Sequence, residues 1–273
     1  MNSLQNKIKE TTQFLKEKGF VKPKAGIVLG TGLGQMIDHI QVIQTLPYGE
    51  IPHFPLSTVE YHHGNLIYGM LGKTTVIALQ GRFHYYEGYS AQEITFPIRV
   101  LKELGVEILL LSNAAGGMNP NYKRGDLVLI EDHINFQSDN PLRGLNDPNL
   151  GPRFVDMSQP YDLTLGSKLK LMAEKLGIML HSGVYIAVSG PNLETRAEYR
   201  FLSRMGGDMV GMSTVPEVIV ANQIRLPCAA ISVITDECDP DNLQAVDIAQ
   251  IIAVAAGADK ILSTLFAAVI QED

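Results

Sequence analysis

Between positions 80 and 90 the chain reads QGRFHYYEGYS, which sets Arg82, His84, Tyr86 and Glu87 close together between Gly81 and Gly88. In extended chain, residues two apart point the same way, so Arg82 and His84 share a face. A guanidinium there offers paired, charge-assisted bonds of the kind that hold phosphate oxygens. The plainer reading is an Arg82–Glu87 surface pair, worth roughly 0–1 kcal/mol. Four more stretches carry residues of use to a ligand. LGTGLG (29–34) exposes backbone N–H groups around Thr31, as an anion site does and as a simple glycine turn also does. SNAAGG (112–117) supplies Asn113 and small residues that allow close backbone approach. GMSTVPE (211–217) places Ser213 and Thr214 before Pro216, a helix cap on the plainer reading. Glu194 stands at a helix start, where capping alone would account for it.

Other chemistries find little here. His62 and His63 in EYHHG have no H-E-x-x-H frame and no cysteine partner, so a metal site is not expected. The glycines of LGTGLG are spaced G-x-G-x-G rather than G-x-G-x-x-G, which weakens a dinucleotide reading. Cys228 and Cys238 form no disulfide framework, and a reducing cytoplasm is the expected setting. No Ser-His-Asp arrangement is evident.

The elements that must position these residues are legible from apolar runs. Strands are predicted over 25–30, 65–70, 74–81, 106–112, 126–132, 183–190 and 228–235, and most read as buried on both faces. Helices are predicted near the N-terminus up to Gly19 and over 91–105, 165–177, 194–206, 215–226 and 245–270. Such alternation indicates an α/β domain with a parallel or mixed sheet, in which ligands lie at the carboxyl ends of strands. Polar clusters fall at five such ends, GTGLG, GRFHYYEG, SNAAGG, SGPNLET and TDECD, so one shared site is expected.

Bulk properties agree with a globular catalyst or binder. The 273 residues are 45% hydrophobic and 19% charged, and one domain spanning 1–273 is expected. The net charge of −7 carries no basic block, which argues against nucleic acid or an anionic membrane as partner. The first nineteen residues lack an apolar core of signal-peptide type, and the apolar C-terminal run is broken by Asp259 and Lys260.

Taken in order, LGTGLG, EIPHFPLSTV, QGRFHYYEGY, FPIRVLKELGV, SNAAGGMNP, GDLVLIEDHINF, NPLRG, GPNLETRAE and VGMSTVPEVIVA resemble the trimeric purine nucleoside phosphorylases. That family also includes methylthioadenosine phosphorylase, and the match runs from about residue 25 to 235. The resemblance implies a mixed, partly barrel-like β-sheet flanked by helices, a homotrimer, and reversible phosphorolysis of purine nucleosides. Inorganic phosphate would be the co-substrate, with no cofactor. Residue by residue, it implies phosphate contacts from Thr31, His62, Arg82, His84, the Ala114 backbone and Ser213. Tyr86 and Met212 would neighbour the ribose. Asn113 is placed with them as a group that can fix an oxygen. Phe154 would be lent by one subunit to its neighbour's sugar pocket. Glu194 would read the purine, with Leu193 and Val210 along its faces. Catalysis is expected to rest on His84, Glu194 and Asp236.

The sequence departs from that pattern at the base. Leu193 stands where a Phe is common, and the helix near Gln250 shows no histidine for the ribose 5′-hydroxyl. Asp236 stands where members specific for 6-oxopurines carry Asn. An ionised carboxylate cannot donate to O6 or N7, so Asp236 must carry a proton or must accept from a 6-amino group. Methylthioadenosine-specific members have this Asp but lack the Glu at position 194. Inosine and guanosine are the expected substrates, because Glu194 suits N1–H, with adenosine or methylthioadenosine as the alternative. A protein that binds nucleosides without turning them over is the non-catalytic alternative.

Overall fold

The computed structural model describes residues 3–58 and 63–272. Each predicted apolar run is a strand. They are β1 (Ala25–Leu29), then β3 (Asn65–Leu71) and β4 (Thr74–Gln80) after an extra strand β2 (Gln41–Pro47). Next come β5 (Ile108–Gly117), β6 (Leu127–Asn135) and β7 (Leu180–Ala187), then a short β8 (Met209–Gly211) and finally β9 (Cys228–Glu237). The two additions lacked a readable signal. β2 is an edge strand with Leu46 as its buried side chain, and β8 has three residues.

Among the described residues, six α-helices cover the sheet: α1 (Leu4–Glu17), α2 (Ala91–Leu104), α3 (Leu163–Leu176), α4 (Arg196–Arg204), α5 (Val215–Gln223) and α6 (Ile248–Gln271). Local chemistry fixes their ends. Ser90 and Glu93 form a capping box at the start of α2, and Gly105 closes it at φ +111°. Thr195 and Glu198 do the same for α4, so Glu194 is not the cap. After LGTGLG the chain makes a single 3-10 turn over Gln35–His39 instead of an α-helix, which removes the dinucleotide-type β-α unit.

The nine strands run in the order β2-β3-β4-β1-β5-β8-β7-β6-β9, and β9 also pairs with β5. The second half of the sheet therefore closes into a five-stranded barrel, β5-β8-β7-β6-β9. β5 belongs both to that barrel and to the open sheet. β1 is parallel to β4 and β5, and β5 is parallel to β9, so four strands end at one edge. α1, α2 and α5 pack together over one part of the core, and α3 and α6 over another. Helix α6 is long and apolar enough to cross a membrane by length and composition. Here Ala255, Leu262, Leu265 and Phe266 are buried in the core. Its Asp259 carboxylate accepts the Gln35 backbone N–H at 2.6 Å and the Ser263 hydroxyl at 3.0 Å. The residue that breaks the apolar run thus ties α6 to the turn after β1.

Candidate active site

The common strand edge opens into a cleft of about 390 Å³. Its lining brings together Thr31, Arg82, His84, Tyr86, Asn113 and Ala114 from the ends of β1, β4 and β5. From the far side come Leu193, Glu194, Val210, Met212, Ser213 and Asp236. Two expected residues are not there. His62 lies outside the described residues. Phe154 does not line this cleft; it is 88% exposed, with the Arg153 guanidinium over its ring at 5.7 Å.

Arg82 is only 2% exposed, and Glu87 is not its partner. Its Nη1 donates to Ser213 Oγ at 2.9 Å and to Thr214 Oγ1 at 3.1 Å, and its Nε lies 3.3 Å from the buried Glu217 carboxylate. Asn113 Nδ2 also donates to Thr214 Oγ1, at 2.9 Å, while Asn113 Oδ1 is buried without a hydrogen-bond partner among the described residues. Thr214 sits at φ +69°, in a turn where the Val215 N–H bonds the Ser213 carbonyl at 2.7 Å. That backbone is strained for a β-branched residue. Its side chain makes no cap bond to α5; the buried Thr214 hydroxyl is engaged by Arg82 and Asn113, while Ser213 lines the cleft. The Ser213 N–H in turn donates to the buried Tyr185 hydroxyl at 3.3 Å.

Glu87 instead holds the histidine. Its Oε1 accepts from the His84 backbone N–H at 2.8 Å and lies 2.9 Å from His84 Nδ1. Its Oε2 accepts the Thr58 N–H at 2.8 Å and the Thr58 hydroxyl at 2.7 Å. Burial opposes ionisation of Glu87, but these bonds outweigh it and hold the carboxyl down at about 2. Burial also lowers the pKa of His84, with the Glu87 bond opposing and Arg82 assisting. The ring is therefore neutral near pH 7, and Nδ1–H facing Glu87 leaves Nε2 as an acceptor. Tyr86 stacks on this ring at 4.6 Å between centroids.

Close backbone approach shapes the floor. A Cβ on Gly30 would lie 2.8 Å from the Ser112 carbonyl oxygen and 2.9 Å from Asn113 Cα. β1 leaves β5 after the Val28–Leu111 pair, and β8 joins only at Gly116. The Asn113–Ala115 edge of β5 thus faces the cleft without a strand partner on that side. At the other end, burial raises the pKa of Glu194, with Tyr199 hydrogen-bonded to it. Asp236 Oδ1 accepts from the Thr235 hydroxyl at 2.8 Å. Ile248, Ile251 and Ile252 of α6 complete the wall. Among the described residues, no group of three or more His, Cys, Asp or Glu side chains is placed to hold a metal ion.

Residues 24–271 match the family model of the phosphorylase superfamily. A purine nucleoside phosphorylase of Geobacillus stearothermophilus is 52% identical over 229 residues, 84% of each chain. The chain belongs to the purine nucleoside phosphorylases. Among solved structures, isoform 2 of the Schistosoma mansoni phosphorylase, in complex with cytosine and ribose-1-phosphate, superposes with a TM-score of 0.92. It is 40% identical, over 97% of this chain and 95% of that one. A Schistosoma mansoni phosphorylase in complex with adenosine gives 0.91 at 38% identity, over 96% and 95%. The enzyme is accordingly a pentosyltransferase that exchanges purine for phosphate on a nucleoside sugar.

Several residues of the site were not readable from sequence. Thr214 and Glu217 were hidden in what looked like an ordinary helix start. Thr58 sits in a loop far from Glu87 in the chain. Tyr199 falls inside a helical run, and Cys238 stands two residues beyond Asp236 with nothing in the sequence to mark its partner. Thr214 alone carries a usable hint, as a second hydroxyl beside Ser213 just before Pro216.

Proposed function

We propose that this enzyme phosphorolyses 6-oxopurine nucleosides, with Thr31, Arg82, His84, the Ala114 N–H and Ser213 holding phosphate. His62 is assigned to the same anion by resemblance alone. Glu194 then accepts N1–H of hypoxanthine or guanine, and Tyr86 and Met212 flank the ribose. The observation that carries this reading is Arg82. A buried guanidinium that grips two buried hydroxyls 131 and 132 residues away, one of them Ser213 of the cleft wall, fits an anion site far better than a surface ion pair.

The mechanism follows from the groups at hand. Phosphate attacks C1′ as the purine departs, and the sugar passes through a cationic state. The nucleophile is itself a bound anion, so positioning and electrostatics suffice. Neutral His84, steered by Glu87, accepts a hydrogen bond from a protonated phosphate oxygen through Nε2. The bound anion then lies near the developing positive charge. The reading needs no group other than phosphate and nucleoside, and it takes the site to be completed in a homotrimer. The near-total exposure of Phe154 supports a residue whose place is on a neighbouring subunit. A cytoplasmic setting remains part of this reading.

Steady-state kinetics on inosine, guanosine, adenosine and methylthioadenosine test it. Phosphate-dependent release of hypoxanthine is expected. A purified enzyme that binds nucleosides but turns none over would overturn it. A second reading, methylthioadenosine as preferred substrate, is favoured by the isoleucine wall from α6. It predicts a higher kcat/KM for the thioether than for adenosine.

A further inference from the structure

The two carboxylates at the base end are joined by a chain of side chains. Tyr199, on α4, is hydrogen-bonded both to Glu194 and to the Cys238 thiol. Cys238 Sγ donates to Asp236 Oδ2 at 3.1 Å. Room for this contact comes from Gly116, where a Cβ would lie 2.6 Å from the sulfur and 3.3 Å from Asp236 Oδ2. Burial raises the thiol's pKa, and it raises that of the Tyr199 phenol as well. Both therefore keep their hydrogens, one each. The phenol donates to Glu194 and the thiol to Asp236, so each stabilises the ionised form of one acid and leaves that acid's own proton, when it carries one, to the base.

The two classes of purine ask for a proton on opposite acids. A 6-oxopurine offers N1–H as donor and O6 and N7 as acceptors. It is met by ionised Glu194 and protonated Asp236. A 6-aminopurine offers N1 as acceptor and a 6-amino donor. It is met by protonated Glu194 and ionised Asp236. The total number of protons is the same in both cases. Resting on the assignment of Glu194 and Asp236 to the base, we infer that Tyr199 and Cys238 are specificity-determining residues, each stabilising the ionised form of one acid and together setting which of the two carries the proton that the purine requires. The same cleft then takes both 6-oxo- and 6-aminopurine nucleosides without a change in net charge. Tyr199 favours the form with Glu194 ionised, and Cys238 the form with Asp236 ionised.

The test is the ratio of kcat/KM for inosine to that for adenosine. Tyr199→Phe removes the donor to Glu194 and should shift the ratio about tenfold toward adenosine. Cys238→Ala removes the donor to Asp236 and should shift it several-fold the other way, since a thiol is a weak donor. Cys238→Ser, which keeps a donor, should restore it and serves where the alanine variant is poorly folded. A packing defect would lower both substrates together. Shifts of the same sign in Tyr199→Phe and Cys238→Ala, or no shift in either, overturn the inference. Asp236→Asn separates the two levels. A large shift toward inosine there upholds the base assignment, whereas an unchanged ratio overturns that assignment and the inference with it.

Discussion

Removing the Arg82 guanidinium should damage both the fold and the phosphate site, and a second substitution should separate the two. Arg82 and Glu217 are 2% and 5% exposed, and Arg82 Nε stands 3.3 Å from the Glu217 carboxylate. Arg82→Ala leaves that carboxylate buried without its counter-charge, at a cost of about 3–5 kcal/mol. For a chain of this size that lowers Tm by roughly 10 °C. Lost charged hydrogen bonds to phosphate, about 1.5–3 kcal/mol each, raise the phosphate KM by roughly 10- to 100-fold or more. The nucleoside KM should move far less. Adding Glu217→Gln removes the stranded charge, so the double variant should regain most of the lost Tm. It should regain none of the phosphate affinity. Calorimetry and phosphate-dependent kinetics on the two variants decide the matter. Recovery of phosphate KM in the double variant would show that Arg82 serves only to neutralise Glu217. Equal rises in phosphate and nucleoside KM would also refute the assignment.

Gly30→Ala brings a methyl group to 2.8 Å from the Ser112 carbonyl and 2.9 Å from Asn113 Cα, both backbone. It should displace the β5 edge, and phosphate KM should rise before nucleoside KM does. Thr214→Gly relieves a φ of +69° worth about 1 kcal/mol or more, yet strips Arg82 and Asn113 of a shared acceptor. Lower kcat/KM without a gain in Tm is the expected outcome. Glu87 is held at about 2, below its ordinary value, so it adds stability that is present above about pH 4.5 and lost as pH falls toward 2. Glu87→Gln should flatten that acid arm in urea titrations and loosen the 58-loop. His84, lowered by burial, favours its neutral form in the folded state. Stability should therefore decline as pH falls below about 6.5, and His84→Gln should remove that decline.

Much of this was legible in the sequence because its signals are local. Buried strands announce themselves as short apolar runs, and Ser90–Glu93 or Thr195–Glu198 mark helix starts within four residues. Strand-end clusters put Arg82, Asn113, Glu194 and Asp236 at one cleft from local pattern alone. The signals that failed were relational. Nothing in the local pattern says that Arg82 turns to Glu217 rather than to Glu87, five residues away. Choosing between them depends on a barrel closure that brings β8 beside β5. The partnership of Tyr199 with Cys238 depends likewise on α4 packing over the end of β9, and neither residue alone names the other. β2 was unreadable for a different reason, since an edge strand with one buried side chain has no burial to display.

The position of β5 in two sheets at once has a consequence for the order in which the protein comes to exist. The phosphate floor joins Arg82 and Asn113 to Ser213 and Thr214 across more than one hundred residues. The β5–β9 seam that closes the barrel cannot form until Cys228–Glu237 has been made. An emerging chain can therefore build the β1–β5 half of its sheet, yet the complete substrate site cannot precede the closing of the ring. Phosphate then recognises only the finished fold. Phosphate present in excess of its Kd would raise the apparent stability of the whole barrel by mass action, not just that of the loops it touches.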